Sequence, residues 1–399
     1  MTQHSFLQNL LQGQAVEWKT LGEVCDILDN LRKPIKASLR LAGSNPYYGA
    51  NNIQDYVDGF THDGEYVLIA EDGSSSLENY SIQWATGKFW ANNHVHVVSA
   101  KECLNNRFLF HFLKKMNFIP YLTGGTRAKL TKAKMIEIQI PIPPLSVQSQ
   151  IVQILDTFTE LTDQLTTELS MRQKQYQYYR DLLLTFDEKI SGGGSNPFFC
   201  QNVLWKTLGE VGELVRGNGL TKKDLTDDGV PAIHYGQIYT RYGLSTEKTL
   251  SFVSTELAKR LRKVDTGDVV ITNTSENLAD VGKSLVYLGK EQAVTGGHAT
   301  IFKPNKQIIL GKYFAYFTQT DNFATQKRKY AKGTKVIDVS TNDMAKLKIP
   351  IPPLSIQSQI VAILDKFDTL VNSISEGLPK EIKLHQKQYE YYRERLLAF

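Results

Sequence analysis

Cysteine is scarce in this chain: Cys25, Cys103 and Cys200 are the three present, widely spaced along 399 residues. That scatter excludes a disulfide-stapled scaffold and fits no metal-ligand spacing; it suits a reducing cytoplasm. Long apolar runs are missing as well. No stretch of eighteen apolar residues occurs, and the opening "MTQHSFLQNLLQGQ" lacks the charged-then-apolar order of a signal peptide, so neither a membrane span nor export is expected. Charge of one sign is in short supply too. A net charge of +5 is too mild to name a partner, so where the cations sit matters more than how many there are. The length exceeds the usual single domain, and two or more domains are expected.

What the chain does have is a repetition. "IPIPPLSVQSQIV" from Ile140 returns as "IPIPPLSIQSQIV" from Ile349, with one Val-to-Ile change. "VEWKTLGEV" from Val16 returns as "VLWKTLGEV" from Val203, and "QKQYQYYRDLLLTF" from Gln173 as "QKQYEYYRERLLAF" from Gln386. The Tyr-Gly pair of "YYGANNI" recurs in "HYGQIY". Later pairs are offset further than earlier ones, so the second copy has gained residues in its middle. Two copies are too few for a solenoid, which leaves a tandem duplication. Each copy is a variable part followed by a near-constant one.

The variable parts read as mixed and mostly β, from runs such as "EYVLIA", "HVHVVSA", "GDVVITN" and "ATIFKP", each with one helical stretch after them. The constant parts read as long helices. Pro143-Pro144 and Pro352-Pro353 bar helix before them, and Ser146 and Ser355 are the expected N-caps, without a completed capping box because Ser149 and Ser358 follow. Val147, Ile151, Ile154, Phe158, Leu161 and Leu165 alternate steps of four and three, as do Ile356, Ile360, Ile363, Phe367, Leu370 and Ile374. That is a coiled-coil seam, with core packing as the competing reading. From Ser146 to Phe186 the first helix spans roughly 60 Å. Expected segments are a first domain over 1–144, a helix over 145–187, a Gly-Ser linker over 188–200, a second domain over 201–353, and a helix over 354–399 kinked near 377–379 by Gly377 and Pro379. The fold class is therefore α+β: two mixed α/β domains in a tandem pseudo-repeat, separated by two long helices that pair as an antiparallel coiled coil.

Two kinds of surface stand out. A basic loop precedes each helix: Arg127, Lys129, Lys132 and Lys134 in "GGTRAKLTKAK", and Lys327, Arg328, Lys329, Lys332 and Lys335 in "KRKYAKGTK". Gly125-Thr126-Arg127 and Gly333-Thr334-Lys335 repeat one pattern, in which glycine admits a phosphate while threonine and a cation hold it. A solvated loop is the alternative, but recurrence at one place favours phosphate contact. "NLRKPIK" with Arg32, Lys33 and Lys36, and "GLTKKDL" with Lys222 and Lys223, are further candidates. The second surface is the aromatic helix ends: Tyr176, Tyr179, Arg180 and Phe186, then Tyr389, Tyr392, Arg393 and Phe399. They exceed what two helices can bury in each other, so part is expected to bind another protein.

The duplicated W-K-T-L-G-E-V opening, the "IPIPPL…QIV…ILD" helix start and the "QKQYxYYRxxLLxF" helix end together resemble the specificity subunit of type I restriction-modification systems, over essentially the whole chain. Leu161, Leu165 and Leu169, four apart in "TELTDQLTTELS", are also family-like. The resemblance implies a cytoplasmic host-defence protein in which each variable part is a target recognition domain for one half of a split site in double-stranded DNA. It implies that the helices space these domains and dock two modification subunits, with restriction or translocase subunits joining them. Adenine methylation with S-adenosylmethionine, and cleavage with ATP and Mg, then belong to those partners, so this chain is expected to hold no cofactor, metal or catalytic residue.

Base readers are expected where the copies differ: Tyr48, Asn51 and Asn52 in the first, Tyr235, Gln237, Tyr239 and Arg241 in the second. Asn and Gln match adenine, and Arg matches guanine. His94 and His298, at strand ends, also come within range of DNA, but ordinary satisfied polar residues are the favoured reading. Three resemblances to catalytic or metal motifs fail on inspection. "SNPFF" at Ser195 lacks the second proline of the amino-methyltransferase Asn-Pro-Pro-Phe motif. "VGKS" at Val281 has Asn277 where a phosphate-binding loop needs glycine, and His94-x-His96 has no clear third ligand. A DNA-binding adaptor for another effector, and a coiled-coil scaffold without DNA readout, remain as alternatives. If the helices act as a ruler, four residues inserted in phase at Leu165 lengthen it by about 6 Å. The untouched spacer of the DNA site should then grow by roughly one or two base pairs at about 3.4 Å each; an unchanged spacer in methylation mapping would rule the ruler out.

Overall fold

The repeated opening and the repeated proline phrase are strand partners. In the computed structural model, which describes residues 5–124, 128–186, 197–198, 203–373 and 375–399, Glu17–Thr20 pairs antiparallel with Gln139–Ile142. Leu204–Thr207 pairs with Lys348–Ile351 in the same way, so that Trp18 faces Pro141 and Trp205 faces Pro350. Proline lacks an N–H, and a two-stranded sheet tolerates it because each strand has one outward side. Both opening strands run into the same turn. Glu23 accepts from the Thr20 backbone N–H and hydroxyl, and Glu210 from those of Thr207, each bond 2.6–2.7 Å long.

The chain forms two compact units, Met1–Leu165 with Ile382–Phe399, and Thr166–Glu381. Each is therefore a mixed α/β domain plus parts of two helices. In the first unit, six strands lie in the order Cys25–Ile27, Val95–Ala100, His62–Ala70, Ile82–Ala91, Ala42–Tyr48, Ile53–Val57. Val67 and Ile69 face one apolar cluster and Leu68 the other, the alternation expected of a strand covered on both sides. Helix Asn106–Lys115 joins the first of these clusters.

The second unit keeps the frame and alters the rest. Gly212–Arg216, Ala299–Pro304 and Val269–Thr272 are neighbours in the order of their first-unit counterparts. The ten-residue strand Ile82–Ala91 has two short successors, Ser284–Tyr287 and Ala293–Thr295, which lie in different sheets. The residues gained by this copy include Ser251–Val253, helix Thr255–Arg260 and Arg262–Val264, the two strands lying in the second sheet.

The long helix Leu145–Leu184 starts one residue before Ser146, and Leu354–Asn372 one before Ser355, so neither serine is the N-cap. Proline takes that place: the Pro144 carbonyl accepts from Val147 and Gln148, and Pro353 from Ile356 and Gln357. The next repeated polar residue is fully buried. Gln148 Oε1 accepts from Asn105 N–H at 2.8 Å, while Nε2 donates to the carbonyls of Cys103 and Pro143 at 3.1 and 2.8 Å. Gln357 repeats this with Leu310 N–H and the carbonyls of Ile308 and Pro352. About two turns later, Asp156 accepts from Arg107 and His111, and Asp365 from Lys312 and Tyr316. These four bonds tie each long helix to the helix of its own domain.

The apolar seam keeps Val147, Ile151, Phe158, Ile360 and Phe367 and departs from the expected one at Ile154 and Ile363. Val147, Ile151 and Leu155 are buried against the first domain, and Ile360, Leu364 and Val371 against the second, whereas Ile154 and Ile363 are half-buried. A step of four points the first turns into the domain; farther along, the helix faces another helix. Phe158 stacks on Tyr392, and Tyr176 and Tyr179 on Phe367. Moving along the first helix from Phe158 to Tyr176, the partners run backwards along the C-terminal segment from Tyr392 to Phe367, so the pairing is antiparallel. The second helix stops at Asn372 and a new one, Leu378–Leu396, follows. Gly377 adopts φ +75, and a Cβ there would lie 2.5 Å from the Thr369 carbonyl oxygen. Pro379 sits in the first turn of the new helix, where its missing N–H costs nothing. Ile374 lies outside the described residues. Gln148→Leu leaves one buried N–H and two carbonyls without partners and should cost about 2 kcal/mol. Gln357→Leu should do the same in the second unit, each read as a lower urea midpoint.

Candidate nucleic-acid interface

One edge of each domain is built by the same two backbone bonds. The Glu71 N–H donates to the His94 carbonyl and the Leu130 N–H to the Glu71 carbonyl; Asn273 with His298 and Val339 with Asn273 repeat them, at 2.7–2.9 Å. These bonds hold each basic loop against the end of a central strand. The loops close through Thr123 opposite Lys129 and Lys332 opposite Asp338. Gly333 has φ +102, and a Cβ there would sit 2.0 Å from the Val336 oxygen, so the tight turn requires glycine. Lys332, Thr334 and Lys335 are exposed on that turn, and Lys132 just beyond its own. Thr126 and Arg127, with Gly125, lie outside the described residues.

Behind the first loop is a largely half-buried charge cluster that sequence reasoning did not foresee. Arg32 was expected on DNA, yet its guanidinium bonds Glu71 and the Val95 carbonyl at 2.7 Å and lies 3.4 Å from Asp29. Lys129 pairs with the other oxygen of Glu71 at 2.7 Å. His96, fully buried, places Nδ1 2.6 Å from Asp29 and Nε2 2.8 Å from the Leu130 carbonyl. Burial alone raises the Asp29 carboxyl, but the bond from His96 and the charges of His96 and Arg32 hold it below the ordinary range. Glu71 is lowered likewise, burial being outweighed by bonds from Lys129 and Arg32. Asp29, Glu71 and His96 offer ligand atoms close enough for a metal, but Arg32 and Lys129 already neutralise both carboxylates. Lys33, Lys36 and Asn52 are exposed, and Asn51 binds the Gly73 carbonyl and the Ser75 N–H, which shapes the adjoining loop. Tyr48 is half-buried edge-on to Phe89.

The second domain has neutral groups at the matching positions. Asn273 Nδ2 donates to the Val339 carbonyl, and its Oδ1 accepts from Thr300, in place of the ion pairs of Glu71. Tyr235, just past the strand Val230–Ile233, packs 4.7 Å from both His234 and His298. The Tyr239 hydroxyl donates to the Thr274 carbonyl, and burial pushes it up to about 12. Gln237 Nε2 donates to Ser251 Oγ at 2.6 Å. Lys327 departs from expectation: it is buried, donates to the carbonyls of Ala279 and Val281, and is pushed down to about 8 by burial. Its cation serves the interior, where two backbone carbonyls accept from it. Arg241, Lys222, Lys223 and Lys329 are exposed. Arg241 lines a cleft of about 1190 Å³ with Arg180, Lys283 and Arg328. "VGKS" forms no phosphate cradle: Val281 is buried and Lys283 pairs with Asp280 at 2.6 Å.

The family model described as the type I restriction modification DNA specificity domain matches residues 15–171 and again 202–384. The chain belongs to that family. A Haemophilus influenzae protein assigned as a type I restriction enzyme specificity subunit is 47% identical over 99% of this chain and 98% of its own length. The EcoR124I/EcoR124II specificity subunit of Escherichia coli is 30% identical over 100% and 98%. In three dimensions, the type I restriction-modification S subunit of M. genitalium covers 96% of both chains at a TM-score of 0.60 and 16% identity. A chain from a structure of type I assembly and conformational transition aligns at 0.53, covering 96% and 98%. These distant likenesses bear on the fold, and they agree with two α/β domains in tandem on paired helices.

Within this specificity chain the aromatic helix ends face inward more than expected. Tyr176 and Phe186 are buried in the second unit, with Tyr179 stacked beside them. Arg180 is held by Asp181 and lies over the Tyr176 ring. Tyr389 lies 3.1 Å from His111 Nδ1 through its hydroxyl, Arg393 covers the Tyr389 ring, and Tyr392 and Phe399 pack on Phe158 and Phe108. Helices this long need the domains' apolar surface, and their aromatics supply the cover. The outward members are Tyr178 and Tyr391, about half exposed and at equivalent places in the two repeats. Gln148, Gln357, Asp156 and Asp365 were also missed. The signal was available, since each is a polar residue kept in both copies on the inward side of the helix. The charge cluster has a sign. Carboxylates with lowered values stabilise fully above their unfolded range near 4 and lose that contribution as pH falls through the folded values. Arg32→Ala removes part of the lowering, so the acid midpoint of the first unit should rise, measured by circular dichroism against pH.

Proposed function

We propose that this chain is the DNA-reading subunit of a type I restriction-modification complex. Each domain reads one half of an asymmetric, split site in double-stranded DNA. The observation that carries this is the duplicated edge: one backbone frame, two basic loops in the same place, and different side chains at the positions between them. A frame held constant under a varied surface is what two unlike half-sites demand. Lys33, Lys36 and Lys132 in the first domain, and Lys222, Lys223, Lys329, Lys332, Thr334 and Lys335 in the second, supply phosphate contacts. Asn52, Tyr235 and Arg241 supply base contacts.

The same reading gives the helices to partners. Two modification subunits dock on the helical part, with Tyr178 and Tyr391 as its exposed aromatics, and restriction or translocase subunits join them in the cytoplasm. Adenine-N6 methylation with S-adenosylmethionine, and cleavage with ATP and Mg, reside in those subunits. Methyl transfer by the purified chain alone would overturn this division of labour.

Selection from random duplex DNA with the full chain tests the central claim. Two short motifs at a fixed separation are expected; no enrichment, or a single uninterrupted motif, is the opposing result. Salt dependence adds a second check. Log affinity against log salt should flatten by roughly 0.9 for each phosphate contact removed. Lys335→Gln should show that change and buried Lys327→Gln should not. Alanine at Tyr178 and Tyr391 should reduce co-purification of modification subunits while leaving the selected motifs unchanged.

A further inference from the structure

His94 and His298 occupy one structural position in two domains whose surroundings have diverged. Each immediately precedes the strand next to the centre, Val95–Ala100 or Ala299–Pro304. Each faces the residue two beyond the last ladder pair of the neighbouring strand, where Ala70 opposes Val95 and Thr272 opposes Ala299. In the first domain His94 Nδ1 lies 2.5 Å from Asp72 Oδ1; in the second, His298 Nδ1 lies 2.9 Å from Thr274 Oγ1. Around this pair the copies differ: Glu71 stands against Asn273, Asp72 against Thr274, and His96 against Thr300. The histidine is unchanged in type and is anchored through Nδ1 in both copies.

Both rings are exposed, His94 with 48% of its side chain accessible, so neither serves the core. Both are nevertheless held in one orientation, His298 additionally by Tyr235 at 4.7 Å. Among the described residues, neither Nε2 has a hydrogen-bond partner. His94 opens with Asp72 and Lys129 onto a cleft of about 590 Å³ beside the basic loop. An exposed ring that is already oriented, with one nitrogen free, is preorganised for a polar ligand, and at His94 the Lys129 cation lines the same cleft. Resting on the DNA-reading role above, we propose that His94 and His298 are equivalent base-edge contacts, one for each half-site.

The anchors set what each ring presents. A carboxylate only accepts, so His94 carries its proton on Nδ1. When neutral, its Nε2 accepts from an exocyclic amino group of adenine or cytosine; when charged, it donates to guanine N7 or O6. The Thr274 hydroxyl both donates and accepts, so the His298 tautomer is unconstrained. The two half-sites are thus read by one residue type through different donor patterns.

The test is selection from random duplex DNA with the full chain, comparing wild type, His94→Ala and His298→Ala. His94→Ala should relax preference at one or two base pairs of one half-motif, on the order of tenfold, and leave the other half intact. His298→Ala should do the converse. Unchanged motifs overturn the proposal, as does a uniform loss of affinity across sequences, which marks a phosphate contact, or a change in both halves at once. Failure of the wild-type chain to enrich any motif overturns the DNA-reading role as well, and is told apart by the wild-type lane. His94→Gln and His298→Gln, judged by the same outcomes, replace any alanine variant that lowers the melting temperature.

Discussion

The buried amide of Gln148, matched by Gln357, is the constraint on which the rest of the architecture depends. Each satisfies a backbone N–H and two carbonyls where a globular domain gives way to a long helix. Without it, that junction would bury unpaired polar groups, and the helix would have no defined direction of departure. Asp156 and Asp365 fix the same direction about two turns later. The proline phrase therefore acts as a joint, pairing as a strand with the domain's opening and passing into helix through a proline cap.

With the helices aimed, their far ends are committed as well. Each unit is completed by the start of one helix and the end of another, so the aromatic ends become core rather than surface. Leu396 and Leu397 pack with Val147, Ile151 and Leu155; Leu183 and Leu184 pack with Ile360 and Leu364. This accounts for the near-identity of the repeated segments without appeal to partners: they must fit each other and a similar frame twice. What is left for a partner is the outward face of the helices.

The domains show the complementary behaviour. Their frame is duplicated while the edge between the basic loops is chemically different, a charged cluster of Asp29, Arg32, Glu71, His96 and Lys129 against a neutral set of Asn273, Thr300 and Thr341. Both sets satisfy buried polar groups, which is the condition for varying an edge without unfolding the domain behind it. Cations that looked equivalent in the chain divide between these roles: Arg32 and Lys327 are internal, Lys335 and Arg241 are outside.

The sequence by itself determined the duplication, the two-domain α/β class, the helices and the place of the basic loops, because these rest on local signals: repeated phrases, β-branched runs, heptad steps and charge clusters. Only the tertiary structure decided which side of each helix is core, which cations are spent inside and which aromatics remain exposed. Those outcomes depend on neighbours hundreds of residues away, such as His111 beside Tyr389. A seam read by heptad steps named Ile154 and Ile363, while the domain packed against the helix selected Leu155 and Leu364. Periodicity reports that a helix has an apolar side; the surface it meets decides which residues that side contains.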